Sequence, residues 1–248
     1  MWTLGFDSTA STVTPALLRD GKLFSAYSAD STTTHSTTLL PAIERLLASA
    51  GIAARDLELI CCSAGPGSFT GVRIGVATAK GLASPFGTPC VGVSSLEAMA
   101  YMYSELHAVI CPVLGARRGN VYAAVFLSDG KGNVTRLCDD DLVAISDMEG
   151  FIAGAVDGAS DLPTSLYFCG DSIKECSEAI CEGFSLQLCP TPAMLASPSG
   201  YGAAACGLVK YNSADDKSGF TDAALLPIYL RKSQAEREKE EKQSGVKF

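Results

Sequence analysis

Histidine is nearly missing from this chain of 248 residues: only His35 and His107 occur, far apart, in neither His-x-x-x-His nor His-Glu-x-x-His spacing. That removes the usual helix-borne ligand sets of zinc hydrolases. None of the ten cysteines forms Cys-x-x-Cys, which argues against metal and redox roles. They are scattered through apolar segments, where a free thiol behaves as a small buried hydrophobe. No apolar run is long enough to cross a bilayer, and residues 1–6 are too short and lack the basic flank of a signal peptide. A soluble, cytoplasmic protein is therefore expected. Positive charge is also scarce: 19 Lys and Arg stand against 27 Asp and Glu, for a formal net charge of -8. The tail 231–248 holds six basic residues and four acidic ones, so the rest of the chain is more acidic still. A body of that sign does not grip a nucleic acid by itself.

What is present is a core former, with 47% hydrophobic residues, and one conspicuous loop. After the apolar stretch 57–64 comes Gly65-Pro66-Gly67-Ser68-Phe69-Thr70-Gly71-Val72-Arg73-Ile74-Gly75. Two glycines open backbone angles closed to other residues, a proline fixes one φ, and Ser68 or Thr70 can cap a helix beginning near Gly71. Gly71, Gly75 and Ala79 repeat every fourth residue, a narrow stripe that admits a close backbone neighbour. The segment suits a tightly packed helix or a phosphate-facing loop. No Gly-Lys-Ser/Thr follows, and the glycines are spaced one residue too wide for Gly-x-Gly-x-x-Gly.

Hydrophobic periodicity predicts strands at 2–6, 12–18 and 23–29, joined by a turn at 19–22, then a polar loop at 28–38 and a helix from Leu39 that Gly51 ends. Strands at 57–64 and 90–93 alternate with helices at 71–82 and 95–103. The opening pattern then returns: strands at 109–114, 120–127 and 134–137 with turns at 115–119 and 129–133, followed by a helix at 146–155, a strand at 165–169, a helix at 172–181, a strand at 184–188 and a helix at 201–211. Such a repeat indicates a duplicated α/β unit. We place the first lobe at 1–102, completed by helix 201–211 and the segment to about 232. The second lobe spans 103–200, and 233–248 is a charged tail with no apolar stripe.

The loop 65–75 combines with Gly5-Phe6-Asp7-Ser8-Thr9, His35 before Leu39-Leu40-Pro41, Gly92-Val93-Ser94-Ser95-Leu96, Ala116-Arg117 with Val121-Tyr122, and Pro227-Ile228-Tyr229-Leu230-Arg231-Lys232. Together these resemble the bacterial TsaB (YeaZ-like) family over about residues 1–237. The resemblance implies a two-lobed fold of the actin, sugar-kinase and heat-shock-chaperone (ASKHA) type. It also implies a non-catalytic accessory role in making the threonylcarbamoyladenosine (t6A) at position 37 of tRNA. By that resemblance a TsaD-like subunit performs the transfer, a TsaE-like ATPase joins the pair, the chain alone forms a homodimer, and tRNA is met only through the complex. Two helices would make the partner surface, carrying His35, Leu39, Ile43, Leu46, Gly71, Arg73, Ile74, Gly75 and Thr78. The alternative is that their apolar stripes face their own sheet.

Asp7, Ser8 and Thr9 end the first strand where actin-like proteins keep an Asp near nucleotide phosphates, so residual ATP or ADP contact is one reading and a self-capped turn the other. No cofactor is required on this view. In the second lobe the family's usual Asp is replaced by Gly115, which offers no side chain for metal or base chemistry, while Arg117 and Arg118 remain able to meet an anion or a partner's carboxylate. No catalytic residue and no metal ligand set is assigned. The competing functions are a nucleotide-dependent enzyme of the same architecture, such as a small-molecule kinase, and a metallopeptidase, for which ligands are missing.

Overall fold

The computed structural model describes residues 1–30 and 35–230 and contains two mixed sheets. The first is built from β1 (Trp2–Asp7), β2 (Thr12–Arg19), β3 (Lys22–Ala26), β4 (Ala29–Asp30), β5 (Leu59–Ser63) and β6 (Cys90–Val93), ordered β3-β2-β1-β5-β6 with β4 beside β2. Asp20 and Gly21 both take left-handed φ, 52° and 76°, as a two-residue hairpin between Arg19 and Lys22 requires. β1 pairs antiparallel with β2 and parallel with β5, so its carboxyl end opens into a loop beside the carboxyl end of β5.

Helices cover both faces of this sheet. α1 (His35–Ala50) and α2 (Phe69–Ala83) bury Leu39, Ile43, Val76 and Ala79 against Leu4, Phe6 and Ile60. α1 begins at His35, four residues before the expected start, and Pro41 lies inside it. On the opposite face α7 (Gly200–Ser213) packs Ala203 and Cys206 against Leu59, Cys61 and Val91. α3 (Ser95–Tyr101), capped by Ser94, sits beside α7.

The second sheet comprises β7 (His107–Gly115), β8 (Asn120–Ala123), β9 (Phe126–Asp129), β10 (Val134–Arg136), β11 (Asp141–Ala144), β12 (Ser165–Gly170) and β13 (Gln187–Leu188). Its order is β10-β9-β7-β12-β13, with β8 bridging β7 and β11. The single strand expected over 120–127 is divided. β9 pairs with His107–Ile110 and β8 with Val113–Gly115, leaving Pro112 between the two ladders. Proline has no N–H to give a ladder, and the chain bends opposite it at Ala124 and Val125. β11 arises in a stretch with no expected strand, and β4 lies where the strand expected at 23–29 runs into the expected polar loop. The expected helix 172–181 contracts to α5 (Ile173–Glu178), and the strand 184–188 to β13. α4 (Met148–Val156), α5 and the short α6 (Ala193–Ala196) complete this half.

The halves meet through a shared apolar junction in which Leu96, Met99 and Tyr103 pack on Ala108, Ile110 and Phe126. Beside it Arg136 reaches both Asp140 and Glu97, at 2.5 and 3.2 Å, and Lys210 reaches Glu97 at 2.8 Å. Ser94 Oγ donates to Asp140 at 2.6 Å. All ten cysteines are free thiols; burial raises Cys90 to about 11 and Cys176 to about 12, so these two stay protonated at neutral pH. No helix among the described residues is long and apolar enough to cross a membrane. The tail 233–248 lies outside the described residues.

Candidate functional site

The loop after β5 delivers the amino end of α2 to a cleft between the sheets. Ser68 caps the helix, its Oγ accepting from Gly71 N at 3.3 Å, and its own N–H donates to Thr9 O at 2.8 Å. The turn after β1 is thereby joined to the start of α2. Ser8 Oγ donates to Gly71 O at 2.8 Å. A Cβ at Gly71 would collide with the Ser8 carbonyl oxygen, and one at Gly75 would lie 2.6 Å from Ser8 Oγ. The glycine stripe thus admits the chain's own β1 turn.

Asp7 is folded back within that turn. Its Oδ1 accepts from Thr9 N at 2.8 Å and from Thr9 Oγ1 at 3.0 Å, and the carboxylate is buried. Burial pushes the Asp7 carboxyl above its ordinary value against the opposing donors of Thr9. Of the three residues read as a nucleotide contact, Thr9 lines the cleft, whereas Asp7 and Ser8 are bonded inside the fold.

The cleft measures about 510 Å³, and its first-lobe wall carries Thr9, Ser68 and Thr70. Arg117, Tyr122 and Asp171 form the second-lobe wall. Gly115 N donates to Asp171 Oδ1 at 2.7 Å, and a Cβ at Gly115 would stand 3.5 Å from that oxygen. The carboxylate near this strand end therefore comes from Gly170-Asp171-Ser172 on the neighbouring strand, a contribution missed by reading β7 alone. Its signal was a Gly-Asp-Ser directly after a buried strand. Arg117 and Arg118 are exposed and take left-handed φ of 70° and 57°. Residues 228–230 close one side of the cleft: Ile228 N donates to Ala64 O at 2.7 Å, and the Tyr229 ring stacks on Phe69 at 4.9 Å. Arg73 lies over Phe69 at 3.9 Å and its Nε donates to Tyr229 Oη at 2.9 Å.

The residues read as a partner surface divide into two groups. Leu39, Ile43, Leu46, Gly71 and Gly75 are buried in the chain's own fold, because α1 and α2 press these positions onto the sheet and the β1 turn. Arg73 is exposed and Thr78 half-buried, whereas Ile74 is half-buried and packs against the first-sheet core; Leu40 and Glu44 of α1 are exposed. His35 opens α1, and its side chain lies outside the described residues. Among the described residues no group of three or more His, Cys, Asp or Glu converges as a metal site.

Two mixed α/β sheets facing one cleft, with strand ends and a helix start turned into it, define a protein of the actin, sugar-kinase and heat-shock-chaperone class. The ROK hexokinase of Thermus thermophilus shares this fold, with a TM-score of 0.56 at 14% identity over 86% of this chain and all of that one. A family model described as TsaD, tRNA N6-adenosine threonylcarbamoyltransferase, matches residues 29–239, and the chain belongs to that family. The tRNA threonylcarbamoyladenosine biosynthesis protein TsaB of Bacillus subtilis is 39% identical over 126 residues, 51% of this chain and 55% of that protein. YeaZ from Pseudomonas aeruginosa superposes with a TM-score of 0.72 at 21% identity, covering 92% of this chain and 99% of that one. The chain spans about half the length of the curated TsaB relatives it matches.

Proposed function

We propose that this chain is a non-catalytic accessory subunit of a tRNA threonylcarbamoyladenosine transferase, supporting a TsaD-like catalytic subunit in the cytoplasm. The observation that carries the reading is the inward turn of Asp7, combined with kinship to proteins named for t6A biosynthesis. A carboxylate already holding two donors of its own turn and removed from solvent is poorly placed to orient water or metal in the cleft. On this reading a TsaE-like ATPase joins the pair, the chain alone pairs with itself, no cofactor is required, and any ATP or ADP contact at Thr9 is residual. The partner surface is the outward side of α1 and α2, with Arg73, Ile74 and Thr78 at its centre. His35 belongs to the same proposal, at the start of α1. We place the lobes at 1–102 with 201–232, and at 103–200.

The test is reconstitution. The chain alone is expected to transfer no threonylcarbamoyl group to tRNA, and the TsaD-like subunit of the same organism is expected to copurify with it and to need it for full activity. Transfer by the chain alone, or equal activity of the TsaD-like subunit without it, overturns the reading.

A further inference from the structure

We propose that the turn Arg117-Arg118, held in shape by Asn120, contacts the phosphodiester backbone of an RNA strand crossing the rim of the cleft. This rests on the reading of the chain as part of a tRNA-modifying assembly. The turn is costly to build. Two successive residues with side chains occupy the left-handed region, at φ 70° and 57°, before Gly119 at 74°. Asn120 stabilises it by donating Nδ2 to the carbonyls of Arg117 and Arg118, at 3.4 and 3.1 Å. Ala116 N donates to Asn120 O at 2.9 Å, and Ile145 N donates to Gly119 O at 2.9 Å. Glycine fits such a turn at lower cost, so arginine at both positions indicates that the side chains matter.

Their charges are uncommitted. Arg136 is paired with carboxylates, and Arg19, Arg45 and Arg73 lie over aromatic rings, whereas Arg117 and Arg118 at the cleft, like the distant Arg55, are exposed with no ion pair among the described residues. Arg117 lines the cleft, and Arg118 beside it is exposed. A single small anion in the cleft meets one of them; a polyanion passing over the rim meets both. Another wall of the cleft supplies an aromatic element, Tyr229, 42% exposed and stacked on Phe69, the kind of ring on which an unstacked base settles. With a net charge of -8, the molecule repels RNA over most of its surface, which favours approach at this rim.

The experiment compares the full chain with Arg117→Gly/Arg118→Gly and with Asn120→Ala. An unmodified tRNA transcript is titrated with the chain alone at low salt and with the chain paired to its TsaD-like subunit across a salt series. Glycine suits the left-handed turn, so the double variant is expected to melt at or above the parent temperature. Its tRNA affinity is expected to fall about tenfold, and its slope of log affinity against log salt to shrink by about 1 to 2. Asn120→Ala keeps both charges and is expected to weaken binding by about threefold. Unchanged affinity and slope overturn the proposal. So does loss of inorganic pyrophosphate binding with tRNA binding intact, which assigns the arginines to a small anion. Loss of pairing with the TsaD-like subunit while the chain alone still binds tRNA like the parent assigns them to a partner carboxylate, and also overturns it. If the parent chain fails to pair at all, the proposed function falls, and the titration of the chain alone at low salt decides this inference, no binding by the parent overturning it as well.

Discussion

Two turns face each other across the cleft, one at the end of β1 and one at the end of β7, and they are built in opposite ways. Asp7-Ser8-Thr9 is buried, its side chains bonded inward and its backbone pressed against α2 through two glycines. Arg117-Arg118-Gly119 takes left-handed conformation, and its two arginines are exposed. The same structural position in a repeated unit has thus become a weld in one lobe and a free surface in the other. Equivalent topology does not confer equivalent chemistry.

Glycine replacement gives the widest separation between the turns. Gly71→Ala drives a methyl group into the Ser8 carbonyl, and a loss of about 3 kcal/mol is expected in urea unfolding. Gly75→Arg, which also buries a charge against Ser8, is expected to prevent folding. Gly115→Ala meets Ser172 Oγ at 3.3 Å in an exposed setting and is expected to cost about 1 kcal/mol or less. Equal losses at Gly71 and Gly115 would dissolve the contrast.

A smaller effect is expected at the junction between the lobes. Glu97, 17% exposed, holds Lys210 and Arg136 together, and Glu97→Ala is expected to cost about 2 kcal/mol in the same unfolding measurement by leaving two half-buried cations without their shared partner. Parent-like unfolding would show the apolar junction to be sufficient.

The smallest expected effect is in pH dependence, and there Asp7 and Glu97 have opposite signs. Burial raises the Asp7 carboxyl, so its stabilising contribution is present below the ordinary carboxylate value and is lost as pH rises through the folded value. At Glu97 burial acts upward too, but Lys210 and Arg136 outweigh it and leave the group lowered. Its contribution is present above the ordinary value and is lost as pH falls through the folded one. Melting temperature is therefore expected to change less than in the parent as pH rises from the ordinary carboxylate value in Asp7→Asn, and as pH falls below it in Glu97→Gln. Identical profiles for all three proteins would remove the distinction.

The fold was largely legible because strands such as β6 and helices such as α2 carry strong periodicity between glycine or serine boundaries. The division of 120–127 was not, since it depends on Pro112 in a partner strand and not on anything within the segment. The α1 and α2 candidates illustrate a similar limit. Periodicity marked Leu39, Ile43, Gly71 and Gly75 as special faces, but only the packing shows that those faces meet Phe6, Leu4 and Ser8. At the cleft, Arg117 could be picked from its motif, whereas Asp171 reaches it from a strand 56 residues away.

The segment 228–230 has a bearing on how the molecule is made. β1 leaves the ribosome well before the helix that covers one face of its sheet, which begins at Gly200, and the bond from Ile228 to Ala64 comes later still. The second sheet, contiguous from His107 to Leu188, has all its pairing partners available earlier. Synthesis therefore presents a nearly finished insert inside an unfinished host, and the sheet around β1 is sealed only after the insert is made.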